Sequence, residues 1–152
     1  MALRLITVGK LSSSFLVAAE AEYAKRLRPH LKIAVLEIPN SKSQDASLAM
    51  LDEGRRILAS LKPREALIIL DENGDSVSSP KFAKLLEKIL SAGDATFVIG
   101  GAFGLSAEVK ERASRTLSLS ALTFTYQFAR VILFEQLYRA TCINRGVGYH
   151  KE

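Results

Sequence analysis

The sequence predicts a single α/β domain, a mostly parallel sheet of five or six strands with helices on both faces. Three observations predict it. Short apolar runs of strand length alternate with longer segments of helical period along the whole chain. The runs are apolar at most positions rather than at every second one, as strands covered on both faces must be. The 152 residues contain no linker, internal repeat or low-complexity stretch, which makes residues 1–152 one domain.

The elements follow in order. Leu3–Val8 is an apolar run closed by the turn pair Gly9-Lys10. Ser12-Ser13-Ser14 offers N-caps for a helix through Leu27, with Phe15, Ala19, Tyr23 and Leu27 along one face and Pro29 as its stop. Lys32–Ile38 reads as a strand stopped by Pro39-Asn40, and the polar stretch Ser41–Asp45 as a mobile loop. A helix from about Ala46 to Leu61 ends before Pro63. Ala66–Leu70 is a buried-strand pattern that runs into Asp71-Glu72-Asn73-Gly74. Ser79-Pro80 opens the next helix as cap and first helical residue, and that helix closes near Gly93. Ala95–Ile99 is the fourth strand, Ser106 caps a helix to about Ala113, and Thr116–Leu119 is a brief fifth strand. The last helix, Tyr126–Ile143, is apolar around more than one face, which predicts burial on several sides, one of them a partner subunit.

Composition excludes several function classes. The chain is 48% hydrophobic and 24% charged, as in an ordinary soluble globular protein. No apolar run approaches the roughly 20 residues of a membrane span, and the first residues lack a signal-peptide layout. Two histidines, His30 and His150, and one cysteine, Cys142, have no metal-ligand spacing and form no disulfide framework. The expectation is therefore a cytoplasmic protein with no membrane partner and no metal. A net charge of +5 is compatible with a polyanionic partner, with Lys25, Arg26 and Arg28 among the basic clusters.

The chemistry-bearing motifs lie in the last third. Ala95–Ile99 ends in Gly100-Gly101-Ala102-Phe103-Gly104, and glycines at a strand's carboxyl end let a ligand touch bare backbone. It is neither a P-loop nor a Gly-x-Gly-x-x-Gly fingerprint, so a tight turn alone would also explain it. Leu117–Thr125 mixes small hydroxyls with leucines, suited to burying an apolar ring while backbone groups bond its edges. Asp71-Glu72 reads as solvated turn acids, with a carboxylate pair or a phosphoacceptor as the functional alternatives. Arg130 and Arg139 either form ion pairs, Arg139 with Glu135 at i,i+4, or hold a phosphate or base edge. The tail Gly148-Tyr149-His150-Lys151-Glu152 gathers an aromatic, an imidazole and a cation. Folded back, it would let His150 accept a proton and Tyr149 stack on a base.

Taken together, these motifs resemble the ribosomal large-subunit methyltransferase H family of the SPOUT superfamily, whose members methylate N3 of a pseudouridine in 23S rRNA. The likeness rests on Phe97-Val98-Ile99-Gly100-Gly101-x-x-Gly104-Leu105, Leu117-Ser118-Leu119-Ser120-x-Leu122-Thr123-Phe124, Val131-x-Leu133-x-Glu135-Gln136-Leu137-Tyr138-Arg139-Ala140 and Tyr149-His150. Ile6-Thr7-Val8-Gly9-Lys10, Glu22-Tyr23-x-Lys25-Arg26-Leu27 and Leu36-Glu37-Ile38-Pro39 extend it over the whole chain. The resemblance implies S-adenosylmethionine as cofactor, a homodimer, the assembled ribosome as substrate and a C-terminal trefoil knot. It places the cofactor against Leu70, Gly100, Gly101, Gly104, Leu119, Ser120, Ala121, Leu122, Thr123 and Phe124, with Tyr149, His150 and Arg139 on the substrate side. Two positions depart from the family pattern. Ala102 stands where the turn usually has proline, and Thr125-Tyr126 where Pro-His is usual, so Tyr126 takes the place of a histidine that serves the site. Tyrosine can hydrogen-bond there but is a poor base. A non-catalytic homologue that binds cofactor and RNA, and a receiver-like domain using Asp71, stay open at this point.

Overall fold

A computed structural model describes residues 2–151. Strands and helices alternate: β1 (Leu3–Val8), α1 (Ser14–Leu27), β2 (Ile33–Ile38), α2 (Ala46–Ala59), β3 (Ala66–Ser76), α3 (Ser79–Ala92), β4 (Ala95–Ile99), α4 (Ala107–Arg112), β5 (Arg115–Ser118) and α5 (Tyr126–Asn144). The five strands form one sheet in the order β2-β1-β4-β3-β5, and every neighbouring pair is parallel. Leu5 pairs with Phe97 and Phe97 with Ile68, so the centre of the sheet is a row of apolar residues in register.

Side chains alternate across the pleat and give the sheet two cores. Leu3, Leu5, Ile68 and Phe97 face one side with Leu133, Phe134 and Leu137 of α5. Ile6, Val8, Ile69 and Val98 face the other with Ile57 of α2 and Val109 of α4. Helix α5 packs against both α1 and α3. Its wide apolar surface is thus largely absorbed within the chain, by the sheet and two flanking helices, although Phe128 remains exposed.

Several boundaries differ from expectation for identifiable reasons. Strand β3 does not stop at Leu70: it resumes pairing at Asp75, and Leu117 faces both residues across an irregularity. Gly74 permits this, because a Cβ there would lie 2.8 Å from the backbone of Thr116 and Leu117. Strand β5 runs Arg115–Ser118, one residue earlier than expected. Ser78, not Ser79, caps α3 by accepting from the Lys81 N–H. The stretch Ser12–Ser14 offers no side-chain cap to α1; Oε1 of Gln127 instead accepts from the Ser12 and Ser13 N–H groups. The buried positions of that helix are Leu16 and Leu27, while Phe15 is exposed.

Candidate functional site

Parallel strands bring their carboxyl ends to one edge of the sheet, and the adjacency of β4, β3 and β5 collects the loops after Ile99, Leu70 and Ser118 there. These loops enclose a cleft of about 400 Å³. Of the residues expected to hold a cofactor, Leu70, Gly100, Gly101, Gly104, Leu119, Ser120, Leu122, Thr123 and Phe124 line it; Ala121 does not. Tyr126, at the start of α5, lines it too.

Space is tight at Gly100 and Gly101, and Gly104 has a left-handed backbone. A Cβ on Gly100 would come within 3.0 Å of the Gly104 backbone and Leu105, and one on Gly101 within 3.1 Å of the Val8 side chain. The turn closes on itself as the Gly104 N–H donates to the Gly101 carbonyl at 3.1 Å, with Gly104 at φ +85°. The opposite wall is braced internally. The Ser118 hydroxyl donates to the Ser120 carbonyl at 2.8 Å, and Ser120 Oγ accepts from the Leu122 N–H at 3.0 Å. Thr123 then reaches across to donate to Glu72, which joins this loop to the end of β3.

Asp71 and Glu72 line the cleft, Asp71 half-buried and Glu72 exposed. Asp71 accepts from the Asn73 N–H at 2.9 Å and pairs with Lys110 at 3.2 Å. The backbone bond first, then the Lys110 ammonium, hold its carboxyl below the usual aspartate range. With its charge committed to Lys110, Asp71 is a structural acid. Tyr126 packs its ring against Gly9, where a Cβ would come within 3.0 Å of it. Its hydroxyl donates to the Lys10 carbonyl at 3.4 Å, so Tyr126 is a wall of the cleft with its polar end turned to the β1–α1 connection.

The tail is elsewhere. Tyr149, His150 and Arg139 do not line the cleft. They form a cluster far along α5: Arg139 lies about 20 Å beyond Tyr126 at 1.5 Å per residue. Tyr149 donates to Glu135 at 3.1 Å, packs edge-on against Tyr138 with centroids 4.8 Å apart, and lies under the Arg139 guanidinium at 4.8 Å. Burial, then hydrogen bonding with Tyr23 and Glu135, raises its phenol far above the ordinary tyrosine range, so it is a donor and not a base. Arg139 pairs with Glu135 at 2.5 Å, and its Nη1 is 3.1 Å from His150 Nδ1. A guanidinium can only donate, so Nδ1 is the acceptor and the neutral ring carries its proton on Nε2.

Arg130 is an ion-pair residue. It binds Glu20 twice, at 2.5 and 2.9 Å, and Glu37 at 2.6 Å, while almost fully buried. Sequence reasoning missed Met50, Phe103, Leu105 and Lys110 as lining residues. The signal available for Lys110 was its place on the short helix directly after the glycine turn. Among the described residues, no His, Cys, Asp and Glu group is arranged to hold a metal, and no helix is long and apolar enough to cross a membrane.

The geometry has counterparts in known proteins. The ribosomal RNA large subunit methyltransferase H of Streptococcus gordonii is 41% identical over 99% of this chain and 100% of its own length. That of Syntrophotalea carbinolica is 44% identical over 99% of each. A methylase family protein from Haemophilus influenzae superposes with a TM-score of 0.58 at 14% identity, over 99% of this chain and 70% of that one. A Legionella pneumophila protein described as a methyltransferase, solved with its cofactor SAM bound, gives 0.50 at 11% identity over 92% and 66%. These two likenesses establish the fold. The family described as "Predicted SPOUT methyltransferase" matches residues 1–150. By that match and by full-length identity to its relatives, this chain belongs to the SPOUT methyltransferase family and to its ribosomal RNA large subunit methyltransferase H branch.

Proposed function

We propose that the chain is an S-adenosylmethionine-dependent methyltransferase that acts on N3 of a pseudouridine in 23S rRNA of the assembled ribosome, working as a homodimer with the family's trefoil knot. The observation that carries this is the cleft itself. It has bare backbone at Gly100 and Gly101, where even a Cβ would be tightly placed, and a leucine-rich loop opposite. Its volume of about 400 Å³ suits a nucleoside-sized molecule; small-molecule sites run about 300–1,000 Å³. Leu70, the glycine turn and Leu119–Phe124 would hold the cofactor, with apolar contacts for a ring and backbone groups for its edges.

The bound cofactor supplies a methyl group on a sulfonium, a good leaving group, which leaves the chain chiefly the task of alignment. The N3 imide must give up its proton before its lone pair can attack. As placed in this chain, His150 donates through Nε2 and Arg139 donates through its guanidinium. In this reading the pair hydrogen-bonds the imide oxygens and stabilises the anion left when the proton passes to solvent. Because the pair stands far from the cleft of its own chain, the cleft it serves belongs to a second copy. Exposed Phe15 and Phe128, with ring centroids 6.2 Å apart, and Leu122 and Phe124 at the cleft mouth give that copy an apolar surface to cover. Exposed Lys25 and Arg28 are candidates for backbone contacts to the RNA.

The test is methyl transfer from labelled S-adenosylmethionine to ribosomes lacking the modification, beside separated subunits and free RNA. The expected result is label on one pseudouridine in assembled ribosomes. Cofactor binding without transfer to any RNA would replace this reading with the non-catalytic homologue.

A further inference from the structure

Glu53 is a buried acid that nothing above uses. It lies on α2 and is 5% exposed. Its Oε2 accepts from the Ser41 N–H at 2.8 Å, which fixes the start of the loop between β2 and α2. Its Oε1 is fully buried and has no hydrogen-bond partner among the described residues. That oxygen stands behind the glycine turn: a Cβ on Gly101 would lie 3.4 Å from it and 3.3 Å from Asn40 Oδ1. Gly101 lines the cleft and Glu53 does not, so the carboxylate faces the site through a single glycine.

An unpaired buried carboxylate is costly unless a positive charge or a donor compensates it. The other acids at the cleft are already engaged, Asp71 by Lys110 and Glu72 by Thr123. We infer that Glu53 is a positioning residue that makes the cleft prefer a cationic ligand, favouring the sulfonium of S-adenosylmethionine over the neutral thioether left after methyl transfer. This rests on the cofactor reading above. A positive charge arriving beyond Gly101 relieves the penalty that Glu53 carries in the free protein, and its loss on methyl transfer restores that penalty. The same residue would therefore help both to capture cofactor and to expel product. Field alone suffices for this, since a thin glycine turn leaves little between the charges.

The test compares binding of S-adenosylmethionine and S-adenosylhomocysteine to the full chain by calorimetry, for wild type, Glu53→Gln, Glu53→Asp and Glu72→Gln. Glutamine keeps the shape and can keep the bond to Ser41 while removing the charge. The expected result is that Glu53→Gln weakens the sulfonium ligand roughly tenfold relative to the thioether. Glu53→Asp should retain most of the discrimination, and Glu72→Gln all of it. If Glu53→Gln fails to fold, the wild type decides: S-adenosylhomocysteine binding as tightly as S-adenosylmethionine overturns the proposal, and a clear preference for S-adenosylmethionine that Glu72→Gln leaves intact supports it. A ratio that moves with Glu72→Gln and not with Glu53→Asp assigns the effect to the exposed acid and overturns the proposal. Equal weakening of both ligands by Glu53→Gln would reduce Glu53 to a structural brace. Wild-type chain that binds neither ligand removes the functional reading, and this inference with it.

Discussion

Tyr126 stands where the family pattern has a histidine, and its surroundings make it a wall of the cleft. Its ring closes the cleft against Gly9, and its hydroxyl points to the Lys10 carbonyl at 3.4 Å. A phenol so directed offers its proton to the backbone and not to the cleft, through a bond long enough to be weak. Tyr126→Phe should leave methyl transfer within about threefold of wild type, since general acid–base groups are worth roughly 10²–10⁴-fold. A loss of a hundredfold in single-turnover assays would put the hydroxyl back into the reaction. The glycines and leucines of this cleft were legible in the sequence because bare backbone beside a strand end is unusual. Glu53 was not legible. An acid in the helical run Ala46–Ala59 reads as part of a solvated face, and only tertiary packing shows that this one is enclosed behind Gly101.

Elements are tied together at this end of the molecule by charge as much as by packing. Arg130 of α5 reaches Glu20 of α1 and Glu37 of β2, and makes a longer contact with Thr7 of β1 at 3.4 Å. Arg130→Ala would strand two carboxylates and should cost about 3 kcal/mol of stability, read by urea denaturation. Its pH dependence is specific. The Arg130 bond, followed by the Leu11 N–H, holds the Glu37 carboxyl below the usual glutamate range. The stability this contributes is fully present above the unfolded value of about 4.3, and it is lost as pH falls through the lower folded value. Wild type should therefore lose stability more steeply than Arg130→Ala below about pH 4.3, and parallel acid limbs would remove Glu37 from the account. The sequence foretold the existence and order of the ten elements of the described residues, because apolar runs of strand length alternate with longer segments bounded by caps, glycines and prolines. It misplaced the end of β3, where Gly74 lets the strand resume after a turn-like interruption. It also assigned α1 a local serine cap, whereas no side chain caps that helix and Gln127 instead holds the two residues before it.

At the scale of the whole molecule, the fold separates the two groups of candidate site residues. The cleft is at the carboxyl edge of the sheet, and the Arg139, Tyr149 and His150 cluster is far down α5, anchored to its own helix by Glu135 and Tyr138. Sequence motifs brought these residues onto one list because order along a chain says nothing about which copy completes which site. In a two-fold dimer with the exposed aromatic patch buried, each tail would serve the other copy's cleft. Mixing separates the alternatives. A tail-deficient chain, Arg139→Ala with His150→Ala, and a cleft-deficient chain, Gly101→Leu, should each be inactive as homodimers. When they are mixed and exchanged at equal concentration, half the dimers combine the two chains, and each mixed dimer holds one intact cleft beside one intact tail from the opposite copy. Activity should then return to about a quarter of wild type. If the tail instead serves the cleft of its own chain, every site in the mixed dimer carries one defect and the mixture stays silent. Gel filtration of each variant establishes that dimers form, so silence would speak to the wiring of the site and not to its assembly.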